Sequence, residues 1–113
     1  MHDIHAQMRF MSLSAQKVRL VIDLVRGKNA NDALEILRFV NMRAALPVRK
    51  LVASAVANAE ENFGVSRDDL YVARICADEA PTRTWRRFGA RGRFKPLLRR
   101  NSHITVVLRE REA

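Results

Sequence analysis

The sequence of 113 residues predicts an α+β fold in which three helices pack on a small antiparallel sheet, with a long protruding β-hairpin. Three observations lead to this prediction. Apolar residues recur at helical spacing through the first half of the chain, and they alternate residue by residue in two later segments. A basic, glycine-containing segment separates those two segments. A chain of this length forms one domain with a modest core.

The first helix is predicted from an apolar stripe between two capping residues. A short strand over residues 8–12 precedes it. Ser14 is placed to cap its N-terminus, and Gly27 lies where a C-capping glycine is common. The stripe consists of Val18, Val21, Ile22 and Val25. One face of this helix should therefore be buried.

Two further helices follow. The second is predicted to begin after Asn31, a good N-cap, and to run through residue 40. The third is predicted from about Met42 to Asn62, with many small residues on its apolar side. Pro47 should lie in its first turns, because a proline deeper inside would remove a backbone donor and clash with the preceding turn. Gly64 marks its end.

The remaining part of the body is predicted as two strands over residues 70–81 and 102–110, where apolar and polar positions alternate. The basic run between them has Gly89 and Gly92 near its middle, and these glycines permit a turn with positive φ. The simplest geometry is one long hairpin. We expect a single domain, residues 1–113, with a globular body at about 1–79 and 102–113 and an extended basic hairpin at about 80–101.

The positive charge is concentrated in this hairpin. Of the 21 Lys and Arg residues, nine lie between residues 80 and 109, a range without Asp or Glu. The other twelve are balanced by the twelve Asp and Glu residues, so the whole net charge of +9 lies in one segment. Such blocks are typical of nucleic-acid-binding surfaces, because neutralising phosphates releases counterions.

Arginine accounts for eight of the nine cations, and its planar fork suits phosphate contacts. Three aromatic residues, Trp85, Phe88 and Phe94, are interleaved with them. These rings can stack on unpaired bases. They can equally pack across the hairpin, and the sequence leaves both interpretations open for Phe88 and Phe94. For Trp85 we favour the partner-facing role.

Other classes of function find little support in the sequence. The single cysteine, Cys76, has no partner for a disulfide and no zinc-ligand spacing beside it, so we expect a reducing compartment, no metal and no cofactor. His2 and His5 are expected to lie in a frayed terminus. His103, beside Ser102, lacks a visible orienting acid, so a hydrogen bond to RNA or to neighbouring backbone is favoured over a catalytic role. No segment approaches the length of a membrane span or signal peptide, which favours a cytoplasmic protein.

Several longer motifs resemble a known family. They are SAQKVRLVIDLVRGK at 14–28, SAVANAEEN at 54–62, ICADEAPT at 75–82, ARGR at 90–93 and SHITVVL at 102–108. Their order and spacing resemble the bacterial form of the ribosomal protein L-twenty-two family, from about Ala6 onward.

This resemblance implies a structural constituent of the large ribosomal subunit that binds 23S-type ribosomal RNA, supports assembly and has no enzymatic activity. The hairpin would thread through the RNA, and its tip would line the nascent-peptide exit tunnel near the fourth large-subunit protein. The partners implied are this RNA, neighbouring ribosomal proteins and the nascent polypeptide, without a membrane or small-molecule substrate. The tunnel-facing tip would be Phe88, Gly89, Ala90, Arg91, Gly92 and Arg93.

The resemblance also implies candidate RNA contacts at the first helix, along the hairpin and at the hairpin base, and to these we add Arg9 and the aromatic residue Trp85. The complete set is Arg9, Ser14, Gln16, Lys17, Arg19, Arg83, Trp85, Arg86, Arg87, Arg91, Arg93, Lys95, Arg99, Arg100, Ser102 and His103.

The tip departs from the family pattern. Many relatives have a Pro-Arg pair where this chain has Phe88-Gly89, so a looser turn with an aromatic ring replacing one cation is expected. Ala80 stands where glycine is frequent, and Trp85 and Arg86 replace residues that are often smaller or apolar.

Three other functions compete with this one. The alternative within nucleic-acid binding is a free-standing RNA chaperone or regulator. An RNA-modifying enzyme would use His103 as its base and would need a cofactor or metal site. A membrane-active cationic domain is disfavoured, because the basic segment is strand-like.

Overall fold

The structure is a computed structural model that describes residues 3–88, 92 and 94–111, with only the backbone described for residues 83–88 and 94–97. Its elements in chain order are β1 Asp3–Met11, α1 Ala15–Ile22, α2 Ala30–Phe39, α3 Ala45–Phe63, a short 3₁₀ helix Arg67–Asp69, β2 Leu70–Phe88 and β3 Phe94–Glu110. The predicted α+β architecture of three helices, an antiparallel sheet and a long hairpin is confirmed.

The sheet is antiparallel with the strand order β1, β3, β2, so β3 lies in the centre. The three helices cover one face of this sheet. Helices and sheet share one hydrophobic core, whose largest fully buried side chains include Ile4, Ile22, Leu37, Leu70, Ile75, Ile104 and Leu108. These residues come from β1, α1, α2, β2 and β3. Helix α3 contributes smaller residues that are also fully buried, namely Val48, Val52, Ala55 and Ala59. Small side chains let α3 approach its neighbours closely.

The hairpin continues well beyond the part of the sheet that the helices cover. Pairing between β2 and β3 extends from Leu70 opposite Glu110 to Phe88 opposite Phe94. The strand segment from Ala80 to Phe88 spans about 26 Å at the usual rise of a strand. The longest axis of the molecule is 66 Å and its radius of gyration is 17.2 Å, against about 13 Å for a compact domain of this length. The predicted protrusion is therefore present.

Three bulges interrupt the described part of the sheet, and each adds a residue to an outer strand. In β1, Arg9 and Phe10 stand opposite the single residue His103 of β3. In β2, Ala73 is the extra residue of one bulge, and residues 81–82 belong to another. Proline at position 81 suits this place, because it has no N–H to donate to a ladder. The Ala73 bulge also shifts the alternation of β2 by one residue, so the core-facing residues change from Leu70 and Val72 to Ile75 and Ala77 while the same side of the strand stays buried.

The predicted end of the first helix was wrong. The α-helix ends at Ile22, and residues 23–27 form turns. Gly27 has a φ of 80°, as expected of a glycine at such a place, but its N–H donates to the carbonyl of Val72. Val72 in turn donates to the carbonyl of Lys28. Pairing with β2 thus replaces the last helical turn, while Val25 stays buried as predicted.

Two other helix starts also differ from the prediction. Helix α2 begins at Ala30 after the N-cap residue Asn29, whereas Asn31 lies inside it and donates from Nδ2 to Asp68 Oδ1. Helix α3 begins at Ala45 rather than near Met42, which makes Pro47 its third residue. The first four N–H groups of a helix have no internal partner, so a proline there loses no hydrogen bond.

The predicted bounds of the first strand were wrong, because β1 spans Asp3–Met11 rather than residues 8–12 and pairs with β3, which is far away in sequence. The end of the third helix was predicted closely. Helix α3 ends at Phe63 with Gly64 in the left-handed region, at φ 65°. His5, expected in a frayed terminus, instead lies in β1 opposite Val107, and His2 lies outside the described residues.

Candidate nucleic-acid interface

A groove of about 920 Å³ lies where the hairpin leaves the sheet. We call it the basal groove. One wall is formed by the end of β1 and the first turn of α1, the other by the two strands at the base of the hairpin, and Arg43 contributes from the segment before α3. The lining residues are Phe10, Ser12, Leu13, Ser14, Ala15, Gln16, Lys17, Arg43, Glu79, Ala80, Thr82, Leu98, Arg99, Arg100 and Asn101.

The basal groove is positively charged. Four exposed cations line it, and Glu79 is the one carboxylate among the lining residues. The cations are Lys17, Arg43, Arg99 and Arg100. The ion pairs found between described residues involve other cations, namely Arg26, Arg67 and Arg109. The charges of the groove are therefore available to an anion from outside.

The first turn of α1 strengthens this preference for anions. The Oγ atom of Ser14 accepts a hydrogen bond from the N–H of Lys17 over 3.4 Å, which caps the helix as predicted. The positive end of the helix dipole lies in the groove wall, where it stabilises negative charge. The N-cap Ser14 and the α1 residues Gln16 and Lys17 thus face the same groove as the hairpin cations.

His103 lies next to this groove and braces the bulge in β1. Its Nδ1 accepts a hydrogen bond from the backbone N–H of Phe10 over 3.1 Å. The two rings are also in contact, with centroids 4.7 Å apart in an edge arrangement at 85°. A hydrogen bond between His103 and neighbouring backbone was one of the predictions for this residue, and the structure contains one in which His103 is the acceptor.

Arg19 contacts the sheet. Its Nε and Nη2 atoms donate to the carbonyl oxygen of Ala77 in β2, over 3.2 and 2.9 Å. Arg26, further along the chain, makes a similar bond to the carbonyl oxygen of Ile75 over 2.9 Å. These two arginines therefore tie the segment around α1 to β2. An RNA contact by Arg19 would have to be made by a guanidinium that is already engaged.

Ser102 differs from its neighbours in the candidate set. Its side chain is fully buried, and its Oγ has no hydrogen-bond partner among the described residues. Consecutive residues of a strand point to opposite faces, so Ser102 points inward while His103 points to the side of Phe10.

Arg9 is exposed, and its Nε donates to Gln7 Oε1 over 3.4 Å.

The hairpin register places cations directly opposite each other. Arg83 pairs with Arg99, and Arg87 pairs with Lys95. Like charges at opposite positions of two strands destabilise the pairing, and an isolated two-stranded ribbon is marginal in water. Binding of a polyanion along the hairpin would relieve this repulsion.

Part of the candidate set falls where the structure gives no side chain. Gly89, Ala90, Arg91 and Arg93 lie outside the described residues, and Gly92 has a φ of 72°, as predicted for a turn glycine. The described side chains do not include Arg83, Trp85, Arg86, Arg87, Phe88, Phe94 and Lys95. Their roles stay predictions, including the choice between stacking and packing for the aromatic residues.

Neither a metal-binding cluster nor a helix that could cross a membrane is present among the described residues. Within residues 3–88, 92 and 94–111, no group of three or more His, Cys, Asp or Glu residues is arranged to hold a metal ion. No described helix has the length and apolar character needed to cross a membrane.

Comparison with known proteins decides the family. The sequence model described as "Ribosomal protein L22p/L17e" matches residues 6–109. The chain belongs to this family. Two curated relatives, both named "Large ribosomal subunit protein uL22", come from Thermoanaerobacter sp. (strain X514) and Thermoanaerobacter pseudethanolicus. Each is 50% identical over 106 residues, which cover 92% of this chain and 94% of the relative.

Membership of the L22p/L17e family confirms the resemblance predicted from the motifs. It also confirms a structural ribosomal protein rather than an enzyme. The match begins at residue 6, where the resemblance was predicted to start, and it ends at residue 109, whereas the resemblance was predicted to continue to the C-terminus.

The groove residues of this L22p/L17e protein that sequence reasoning missed include Arg43 and Phe10. A charge signal for Arg43 was available, because residues 36–59 carry four cations and no Asp or Glu. Phe10 had no such signal. Its exposure and position depend on the bulge opposite His103, and nothing in the local sequence marks that bulge.

Proposed function

We propose that this protein is a structural, RNA-binding constituent of the large ribosomal subunit in the cytoplasm, and that the basal groove holds a segment of ribosomal RNA backbone. The observation that supports this most directly is the convergence of Lys17, Arg43, Arg99 and Arg100 on one groove. These cations come from three separate parts of the chain, and none has an ion-pair partner among the described residues. The names of the curated relatives agree with this assignment.

The mechanism is electrostatic and mechanical. Phosphates placed in the groove meet four cations and the positive end of α1, and the counterions they release favour binding. The hairpin extends the same charge outward, so RNA segments that are distant in sequence can be neutralised by one protein. This packing of converging phosphates is the contribution to ribosome assembly.

The hairpin tip has a more specific proposed place. Its residues, Phe88 to Arg93, line the nascent-peptide exit tunnel near the fourth large-subunit protein. Two arguments support this: the family resemblance, and the distance to which the paired strands carry the tip from the body. Its partners are then ribosomal RNA, neighbouring ribosomal proteins and the nascent polypeptide. Crosslinks from a reactive group at position 88 in assembled particles should reach tunnel RNA, and crosslinks confined to solvent-side RNA would contradict this place.

The groove assignment is tested by the salt dependence of RNA binding. The test variant replaces Lys17, Arg43, Arg99 and Arg100 by Gln. The matched control replaces four exposed cations outside the groove, Lys28, Arg38, Lys50 and Arg74, and so has the same net charge. The slope of log K against log salt is negative, and each lost phosphate contact reduces its magnitude by about 0.7 for single strands.

The wild-type slope should be about −4 to −5 if roughly six cations contact phosphates. In the groove variant we expect the slope to become shallower by about 3, and in the control by clearly less. Equal losses would show that net charge rather than the groove matters. In gradients at physiological salt, the wild type should cofractionate with large subunits, whereas a free-standing RNA chaperone would sediment apart from them.

A further inference from the structure

Phe10 presents an aromatic ring from a strained position in the wall of the basal groove. Its φ is 56°, in the left-handed region that residues with a Cβ seldom adopt. The residue is nevertheless 59% exposed, so no burial of its ring compensates for the strain. Backbone strain that the surrounding structure maintains is frequent at binding sites.

His103 holds this arrangement in place. It accepts the Phe10 N–H at its Nδ1 over 3.1 Å, and its ring meets the Phe10 ring edge to face at 4.7 Å. The first contact fixes the backbone of the bulge, and the second restricts the ring. An aromatic side chain that is fixed before binding loses little conformational freedom when a ligand arrives.

The surroundings indicate the chemistry of that ligand. The groove around Phe10 has four cations and one carboxylate, which favours an anion, and the exposed Leu98 adds apolar surface. A flat ring among cations matches a nucleotide, because the base can stack while the phosphates are neutralised. A base paired inside a duplex has no free face, so the matching ligand is single-stranded.

We propose that Phe10 stacks on an unpaired nucleobase of an RNA segment whose phosphates lie in the basal groove. The inference rests on the proposed function, since it requires that the groove binds RNA. It adds that the segment bound there is single-stranded and that at least one base is unstacked from its neighbours. Stacking on a ring is tolerant of base identity, so little sequence preference is expected at this position.

The first test compares Phe10→Leu with Phe39→Leu. Phe39 is an exposed phenylalanine outside the groove, 75% exposed at the end of α2, and provides the matched control. The probes are short oligoadenylate and an RNA duplex with the same number of phosphates. Phe10→Leu should bind oligoadenylate about tenfold more weakly, with an unchanged salt slope and unchanged duplex affinity. Phe39→Leu should bind both as the wild type does.

The second test does not depend on a loss of affinity. The protein has one tryptophan, Trp85, so Phe10→Trp in a Trp85→Phe background places a single fluorophore in the groove. Oligoadenylate should quench this fluorescence on stacking, and the duplex should quench it much less. This measurement still tests the stacking if Phe10→Leu proves unstable.

The outcomes separate this inference from the proposed function. Stacking alone would be overturned if the double variant bound oligoadenylate without quenching, or if Phe10→Leu and the wild type had equal affinities. Unchanged RNA binding combined with loss of cofractionation would show that Phe10 contacts a protein, and would also overturn it. A wild-type salt slope of about −1 would contradict RNA binding by the groove itself.

Discussion

His103 accepts a hydrogen bond at Nδ1 from the backbone N–H of Phe10, 3.1 Å away, and so joins the central strand to the bulge of β1. The bond requires the neutral tautomer that carries its proton on Nε2. This hydrogen bond gives His103 a structural role. It also occupies Nδ1, the nitrogen whose lone pair a catalytic base would use. The bulge in turn positions the wall of the basal groove.

Replacing His103 should therefore lower stability. His103→Ala removes the acceptor of the Phe10 N–H, and we expect a loss of about 1 kcal/mol in the free energy of unfolding, typical of one hydrogen bond. His103→Asn should lose less, because its amide oxygen can accept the same bond. Urea unfolding of both variants measures this. His5→Ala, on an exposed position of β1, is the control, and equal stability of His103→Ala and His5→Ala would contradict the bracing role.

A substitution of Arg19 can distinguish a structural role of this residue from a direct contact with RNA. Its two bonds to the Ala77 carbonyl depend on the guanidinium fork, which lysine lacks. Arg19→Lys loses this geometry, so it should lower the free energy of unfolding by about 1 kcal/mol. It keeps the charge, so the salt slope of RNA binding should not change. Thermal unfolding and filter binding measure the two effects. A stable variant with weakened RNA binding would favour a direct contact.

The helical and strand patterns were predictable from the sequence. The positions at which contacts with distant segments end or interrupt these elements were not. The stripe Val18, Val21, Ile22 and Val25 is buried as predicted. The helix nevertheless ends at Ile22, because Gly27 pairs with Val72, a residue far away in sequence. The alternation of β2 was recognised, but the bulge at Ala73, which shifts that alternation by one residue, carries no signal of its own.

The same limit applies to the candidate site. Ser14, Gln16, Lys17, Arg99 and Arg100 were named from the family motifs, and the fold brings all five to one groove. Arg43 was missed because its distance from the others in sequence gives no indication that it faces them. Ser102 and His103 were named as a pair, although adjacent strand residues point to opposite faces. Their different burial follows from that alternation.

Glu79 should weaken RNA binding by the basal groove. It is the one carboxylate among the lining residues, and it repels phosphates. Glu79→Gln should raise RNA affinity a few-fold at low salt, and the gain should shrink as salt screens the charge. Titration at two salt concentrations measures it. The control is Glu61→Gln, an exposed carboxylate on α3 away from this groove, and an equal gain there would mean that only net charge matters.

Ser102 should tolerate removal of its hydroxyl. The group is buried without a partner among the described residues, so Ser102→Ala removes an unsatisfied polar atom and should be neutral or slightly stabilising. RNA affinity should not change, because the side chain is not exposed. Thermal unfolding and RNA titration of the same preparation test both points. A marked loss of RNA affinity in a folded variant would restore Ser102 as a contact.

Asp3 gives the stability of the sheet edge a pH dependence. The guanidinium of Arg109 donates to its carboxylate, with Nε 2.7 Å from Oδ1, and this bond lowers the pKa of Asp3 below its ordinary value of 3.8. A carboxylate with a depressed pKa stabilises the fold fully above the unfolded-state pKa, and this contribution is lost as the pH falls through the folded-state pKa. Asp3→Asn should thus melt below the wild type at neutral pH, and the two melting temperatures should converge at pH values below about 3.8.

The ion pair is partly exposed, with side-chain exposures of 42% and 44% for Asp3 and Arg109, so the difference in melting temperature should be small and should diminish in high salt. Asp3→Asn combined with Arg109→Gln completes a double-mutant cycle and isolates the pair from other effects of each change. A gap between wild type and Asp3→Asn that stays constant down to strongly acidic pH would show that the stabilisation does not come from the ionised carboxylate. A gap insensitive to salt would exclude the exposed pair as its source, because mobile ions screen such pairs.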